Sequence, residues 1–236
     1  MKAQEIINKI ITDSCGNFRL DKTADILISG SPDTDVSGIV TTFMATIEVI
    51  RKAIKHGANM IITHEPTFYT GHDTTQWLED DPVFKEKMKL INDNGIVIWR
   101  YHDYMHMAKP DRIYEGLYKQ LGWELIKKDT RDDPWNVEIE ETTVGALAKS
   151  LKEKLHMETI QIVGKLEDPV KKICILVGGG SLGFNGKEEM PAEIMKKENS
   201  DVVICGEILE WTLCSYINDA RMLGIPKAMI VVGHER

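Results

Sequence analysis

The sequence predicts an α/β fold built as two lobes. Three observations carry this. Short apolar runs alternate with stretches whose apolar residues recur every three or four positions. Glycine, proline and asparagine punctuate the transitions. Several apolar runs also end abruptly on histidine and carboxylate side chains. In open α/β sheets, ligands gather at the carboxyl ends of strands.

The elements follow in order. Ile6, Ile7, Ile10 and Ile11 mark the apolar face of a first helix. Asp25 to Gly30 and Gly38 to Phe43 are strand candidates, with Ser31-Pro32-Asp33 turning between them. Ile47, Ile50 and Ile54 form a helical stripe that Gly57 closes. The run Met60-Ile61-Ile62-Thr63 is a strand, and Pro66 prevents its continuation. Asp81-Pro82 opens a helix with Phe84, Met88 and Ile91 on one face, ending at Asn94-Gly95. A strand from Ile96 to Tyr101 follows, and Pro110-Asp111 opens a helix that stops at Gly122.

Residues 127–136 are charged and turn-rich, so the boundary between the lobes is expected there. In the second lobe, Val144 to Leu155 reads as a helix, and Ile160 to Val163 and Ile173 to Val177 as strands. Gly178-Gly179-Gly180-Ser181 then reads as a tight turn. A glycine run can also present N–H groups to an anion, but this one lacks the Lys-Ser/Thr of a phosphate loop. Met190 to Glu198 is a helix, Val202 to Cys205 a strand, Leu209 to Leu223 a helix, and Ala228 onward a last strand.

Composition narrows the class. A chain of 236 residues, 42% hydrophobic and 28% charged, buries an ordinary globular core. No apolar run reaches the roughly 20 residues that span a bilayer. The first residues lead into an amphipathic helix rather than an apolar signal core, so the expected location is cytoplasmic. A net charge of −8 argues against nucleic acid as a main partner. Cys15, Cys174, Cys205 and Cys214 form no CxxC pair or zinc-finger spacing. Cys174 and Cys205 fall within apolar strands and are expected to be buried thiols.

Three strands end on metal-competent side chains. The first delivers His64 and Glu65, the second His102, Asp103 and His106, the third His234 and Glu235. One histidine at a strand end is commonly a surface or capping residue. Three such junctions point to a shared metal site, since a coordination shell draws ligands from several elements. Histidine with carboxylate suits Zn, Mn, Fe or Ni better than Ca or Mg.

The same segments carry a resemblance. Ala53 to Pro66, ending His64-Glu65-Pro66, resembles the segment of the Nif-three-like family that ends His-His-Pro. His102-Asp103-Tyr104-Met105-His106 resembles that family's His-Thr-Asn-Leu-Asp. Asp201 to Ile208 resembles its strand followed by Thr-Gly-Glu, and Gly233-His234 its Gly-His motif. The order and combination cover nearly the whole chain, as a single Nif-three-like domain over residues 1–236. The resemblance implies two α/β lobes with a metal site at strand C-terminal ends in the cleft between them. It also implies two divalent metal ions per subunit and a homohexamer. Members carry the label GTP cyclohydrolase 1 type 2 homologue.

On the family's ligand positions, the resemblance implies His64, Glu65, His106 and His234 as metal ligands converging on one cleft. Two of these depart from the pattern: Glu65 replaces a histidine and His106 an aspartate. The exchanges are complementary, so the ligand inventory is preserved. The family's last glutamate would fall two residues beyond Arg236, and the natural chain is expected to continue to an acidic residue there. His102 is read as orienting a ligand. Glu65 and Asp103 stay open between ligand, orienting group and general base. His72 is read as a solvated loop residue, and Glu207 as facing the cleft or capping a helix. The function expected is a metal-dependent hydrolase acting on a small molecule, with a non-catalytic metal-binding or adaptor protein as the alternative.

Overall fold

The computed structural model describes residues 1–124, 135–183 and 189–234. The chain forms two compact units, residues 1–109 and 110–236. Of the charged stretch 127–136, all but Trp135 and Asn136 lies outside the described residues, as does Glu235.

The first unit is a four-stranded sheet in the order β1(Leu27–Ser29), β4(Val97–Arg100), β3(Met60–Thr63), β2(Ile39–Thr42). Strands β2, β3 and β4 are parallel, and β1 is antiparallel to β4. Helices α1(Ala3–Cys15) and α4(Asp103–Met107) cover one face, where Ile6, Ile7 and Ile11 meet Met60, Ile62, Val97 and Trp99. Helices α2(Ile47–Lys55) and α3(Pro82–Asp93) cover the other, where Ile50, Ala53 and Ile91 meet Ile61 and Ile98. The alternation along β3 and β4 therefore feeds two cores, and every residue of both strands is buried. Each buried isoleucine contributes about 1.5–3 kcal/mol.

The second unit is a five-stranded sheet in the order β5(Asn136–Thr143), β7(Pro169–Leu176), β8(Val202–Cys205), β9(Ala228–Val231), β6(Gln161–Val163). The central β7, β8 and β9 are parallel, and the two edge strands antiparallel. Helices α5(Arg112–Leu121) and α6(Val144–Lys154) pack on one face. Helices α7(Pro191–Glu198) and α8(Ser215–Met222) pack on the other. Cys174 and Cys205 are fully buried, as expected, and burial pushes the Cys205 thiol up to about 12.

Three elements differ from the sequence expectation. β5 was not anticipated: residues 137–143, with Glu138, Glu140 and Glu141, were assigned to no element, and pairing with β7 makes this an edge strand. α4 is too short for a periodic signal. The expected Leu209–Leu223 helix begins as a π-helical turn, Glu210–Cys214, broken at Thr212. No helix among the described residues is long and apolar enough to cross a membrane.

Candidate metal centre

Because β3 and β4 are adjacent and parallel, with Thr63 opposite Arg100, their carboxyl ends leave the sheet side by side. His64 follows directly on β3. Its N–H donates to the carbonyls of Thr42 and Phe43, both at 3.1 Å, and Glu65 N–H donates to Phe43 at 2.9 Å. The backbone is thus held by the neighbouring strand. His64 Nδ1 lies 3.3 Å from the Tyr101 carbonyl, which can only accept. Nδ1 therefore carries the proton, and Nε2 is the metal-competent nitrogen.

His102 is the N-cap of α4 and His106 lies within it; the five residues of α4 would not hold a helix alone. The buried Asp25 carboxylate supplies the missing support. It accepts the N–H groups of His102 and Asp103 at 2.7 Å and of Tyr104 at 3.1 Å. These are donors that a helix start leaves unsatisfied. Burial raises the Asp25 pKa more than these bonds lower it.

Asp103 orients rather than ligates. One oxygen accepts from His102 Nδ1 at 2.9 Å, and the other from the Thr23 hydroxyl at 2.9 Å and Ala24 N–H at 2.7 Å. Burial alone would raise its pKa, but the bonds from Ala24, His102 and Thr23 outweigh that and hold it low. With Nδ1 committed to Asp103, His102 directs Nε2 to the side where Glu65 Oε1 lies 3.8 Å away. His106 follows one turn later on the same helix face, its N–H bonded to the His102 carbonyl at 3.1 Å.

The three imidazoles converge. Ring centroids are 4.6 Å apart for His64 and His102, 5.2 Å for His64 and His106, and 5.0 Å for His102 and His106. One nitrogen from each lies within 4.8 Å of the others. Imidazoles bound at roughly 2.0–2.1 Å in a tetrahedral shell have nitrogens about 3.4 Å apart, so small side-chain rotations close the set. Burial, then the nearby His102 and His106, push the His64 pKa down to about 4, with Glu65 partly opposing. A neutral imidazole is the form that binds a metal ion. Three imidazoles beside a carboxylate, two of them with Nδ1 tied to an acceptor, fit a borderline divalent ion.

The predicted residues fall as follows. His64 and His106 meet, and Glu65 stands beside them next to His102. His102, read from the sequence as an orienting residue, joins the nitrogen cluster, and Asp103 does the orienting. The spacing His102-x-x-x-His106 was the available signal: two histidines four apart share a face once the segment is helical. His72 is exposed, as expected. His234 lies in the second unit, where its Nδ1 is 3.0 Å from Glu207 Oε1.

Residues 1–236 match the Duf34/NIF3 (NGG1p interacting factor 3) family model. A Clostridium perfringens protein named GTP cyclohydrolase 1 type 2 homolog is 24% identical over 242 residues, covering 99% of this chain and 86% of that protein. A Clostridium acetobutylicum protein of the same name is 25% identical over 217 residues, covering 88% and 74%. Among solved structures, a Bacillus cereus protein related to NIF3 superposes with a TM-score of 0.74 at 17% identity, covering 99% of this chain and 88% of that one. Reduced HcgD from Methanocaldococcus jannaschii does so with a TM-score of 0.65 at 19% identity, covering 99% and 87%. The chain belongs to the Duf34/NIF3 family.

Proposed function

We propose that this protein binds divalent metal at a centre seated on His64, His102 and His106, with Glu65 at its edge, and uses it to hydrolyse a small molecule. The convergence of three imidazole nitrogens within 4.8 Å carries the reading. When bound, an ion of this class lowers the pKa of a water molecule towards neutrality and polarises a substrate oxygen. The chain's own groups supply the rest. Asp25 holds the α4 turn, so His102 and His106 keep their separation. Asp103 and the Tyr101 carbonyl hold the His102 and His64 rings in the Nδ1–H form. Glu65 is the carboxylate placed to accept a proton from a nucleophile.

The relatives' name supports hydrolytic ring opening of a purine nucleotide as the first chemistry to examine. The same reading includes a homohexamer and two ions per subunit. A second ion needs donors beyond the three imidazoles.

The test is elemental analysis of purified protein, followed by turnover assays of metal-loaded protein on GTP, phosphoesters and cyclic amides. Light scattering gives the assembly state. The reading expects stoichiometric transition metal, its loss in His64→Ala, and metal-dependent turnover of one substrate class. Metal-free protein that cannot be loaded refutes the centre, and loaded protein inert across the panel refutes the hydrolase.

A further inference from the structure

A charged side chain closes the fully buried strand β4. Arg100 is only 3% exposed, and a guanidinium is rarely buried unless its donors are paired. Its partners lie in two loops. Nε donates to the Ala24 carbonyl at 2.6 Å. Nη1 donates to the Gly71 carbonyl at 2.9 Å and lies 3.5 Å from Oδ2 of Asp73, a side chain as buried as its own. The Arg100 N–H donates to the Ile26 carbonyl at 3.0 Å, so main chain and side chain grip one segment on either side of Asp25.

Both ends of the guanidinium are anchored. On the Nη1 side, Asp73 Oδ1 accepts from Thr67 N–H at 2.7 Å and Phe68 N–H at 2.6 Å, and Asp73 has φ +52°. A residue other than glycine keeps that conformation where its surroundings over-determine it. On the Nε side, Ala24 passes the constraint on. Its own N–H donates to Asp103 Oδ2 at 2.7 Å, and Asp103 Oδ1 accepts from His102 Nδ1 at 2.9 Å. The contacts run without a gap from Arg100 through Ala24 and Asp103 to His102. Two loops are reached at once because the guanidinium is a rigid planar fork, which a lysine ammonium on a flexible stem is not.

We propose that Arg100 is a positioning residue for the imidazole centre: by fixing the Ala24 carbonyl it keeps the Ala24 N–H on Asp103, and so keeps Asp103 on His102 Nδ1. The effect on an ion rests on the metal reading above, whereas the hold on His102 does not. Partners that orient a metal-binding histidine change metal affinity about 10–100-fold when lost.

The experiment compares Arg100→Lys, which keeps a positive charge for Asp73, with Ile91→Val, a core change elsewhere in the same unit. Long-range proton–nitrogen NMR spectra of metal-free, nitrogen-labelled protein, at one mildly alkaline pH, read the His102 tautomer, and His102→Gln assigns the signal. The wild type and Ile91→Val show the Nδ1–H form. Arg100→Lys gains the Nε2–H form. Zinc affinity, measured by chelator competition, falls about tenfold in Arg100→Lys and is unchanged in Ile91→Val. Asp103→Ala also weakens zinc, and adding Arg100→Lys to it weakens zinc no further, because the arginine acts through that carboxylate. An unchanged tautomer in Arg100→Lys, or additive losses in the double variant, overturns the role. Should Arg100→Lys not fold, Asp73→Asn removes the charge beside Nη1 while its amide oxygen still accepts from Thr67 and Phe68. It gives the same change of tautomer, and an unchanged tautomer there overturns the role equally. Failure of the metal reading shows separately, as wild-type protein with His102 in the Nδ1–H form that takes up no zinc.

Discussion

Lys87 offers a quantitative test of how the first unit is held. It lies on α3, is buried, and donates from Nζ to the Thr67 carbonyl at 2.7 Å, with the Phe68 and Tyr69 rings each 5.3 Å away. It thereby ties down the segment that follows His64-Glu65-Pro66. Burial pushes its pKa from 10.5 down to about 8, with Asp73 only partly opposing. That gap corresponds to about 3 kcal/mol. The folded state holds fewer protons than the unfolded state between the two values, so stability rises with pH across that window. Below about pH 8 the cost of burying the charge is fully present. Above about 10.5 it is gone. Lys87→Met keeps the apolar stem and removes both the titration and the bond to Thr67. That bond is worth about 1–3 kcal/mol, because its loss leaves a buried carbonyl unsatisfied. The two effects offset near neutrality, so the variant and the wild type have similar stability there. Towards pH 10.5 the wild type gains and the variant falls behind by about 3 kcal/mol. Urea unfolding of both proteins at a series of pH values measures this. A stability difference that does not change with pH would refute the account.

The other predictions concern the metal centre. Single replacements of His64, His102 or His106 by alanine each lower metal affinity at least about tenfold, taking as the lower bound the effect of losing an outer-shell partner. Equilibrium dialysis checks this, and an unaffected His102→Ala would return that residue to a purely orienting role. Glu65→His combined with His106→Asp retains metal better than either single change, because the pair restores the balance of charge and ligand softness. Additive losses in the double-mutant cycle would show that the positions are not coupled. Asp25→Ala strips three N–H groups at the start of α4 of their acceptor and costs about 1–3 kcal/mol. Thermal unfolding reads that loss, accompanied by weaker metal binding, since His102 caps the helix it supports and His106 lies within it.

The limits of linear reading show at particular residues. β3, β4, β8 and β9 were legible because each is a short apolar run bounded by glycine, proline or polar residues. α2 and α3 were legible from their apolar spacing, and all three of α2, α3 and α5 from stop or start signals: Gly57 after α2, Asp81-Pro82 at the start of α3, Pro110-Asp111 before α5 and Gly122 after it, in the left-handed conformation. Part of the candidate site of the first unit was legible: His64 follows a strand directly, His106 comes shortly after another, and both join the imidazole cluster. β5 was not, because a strand with exposed glutamates carries no apolar alternation until β7 pairs with it. The membership of His102 in the nitrogen cluster was hidden for a related reason. α4 exists because Asp25, 77 positions before His102, accepts the N–H groups at its start.

The sequence by itself therefore determined the fold class, the order of most elements and the residue types available for metal chemistry. Each of these depends on local composition and periodicity. Only the tertiary structure decided which nitrogen each histidine presents, which acid orients and which stands beside the cluster. Those choices belong to Asp25, Asp103, the Tyr101 carbonyl and Glu207. A hydrogen-bond partner is selected by distance in space, and three of these four contacts bridge segments 27 or more residues apart in the chain.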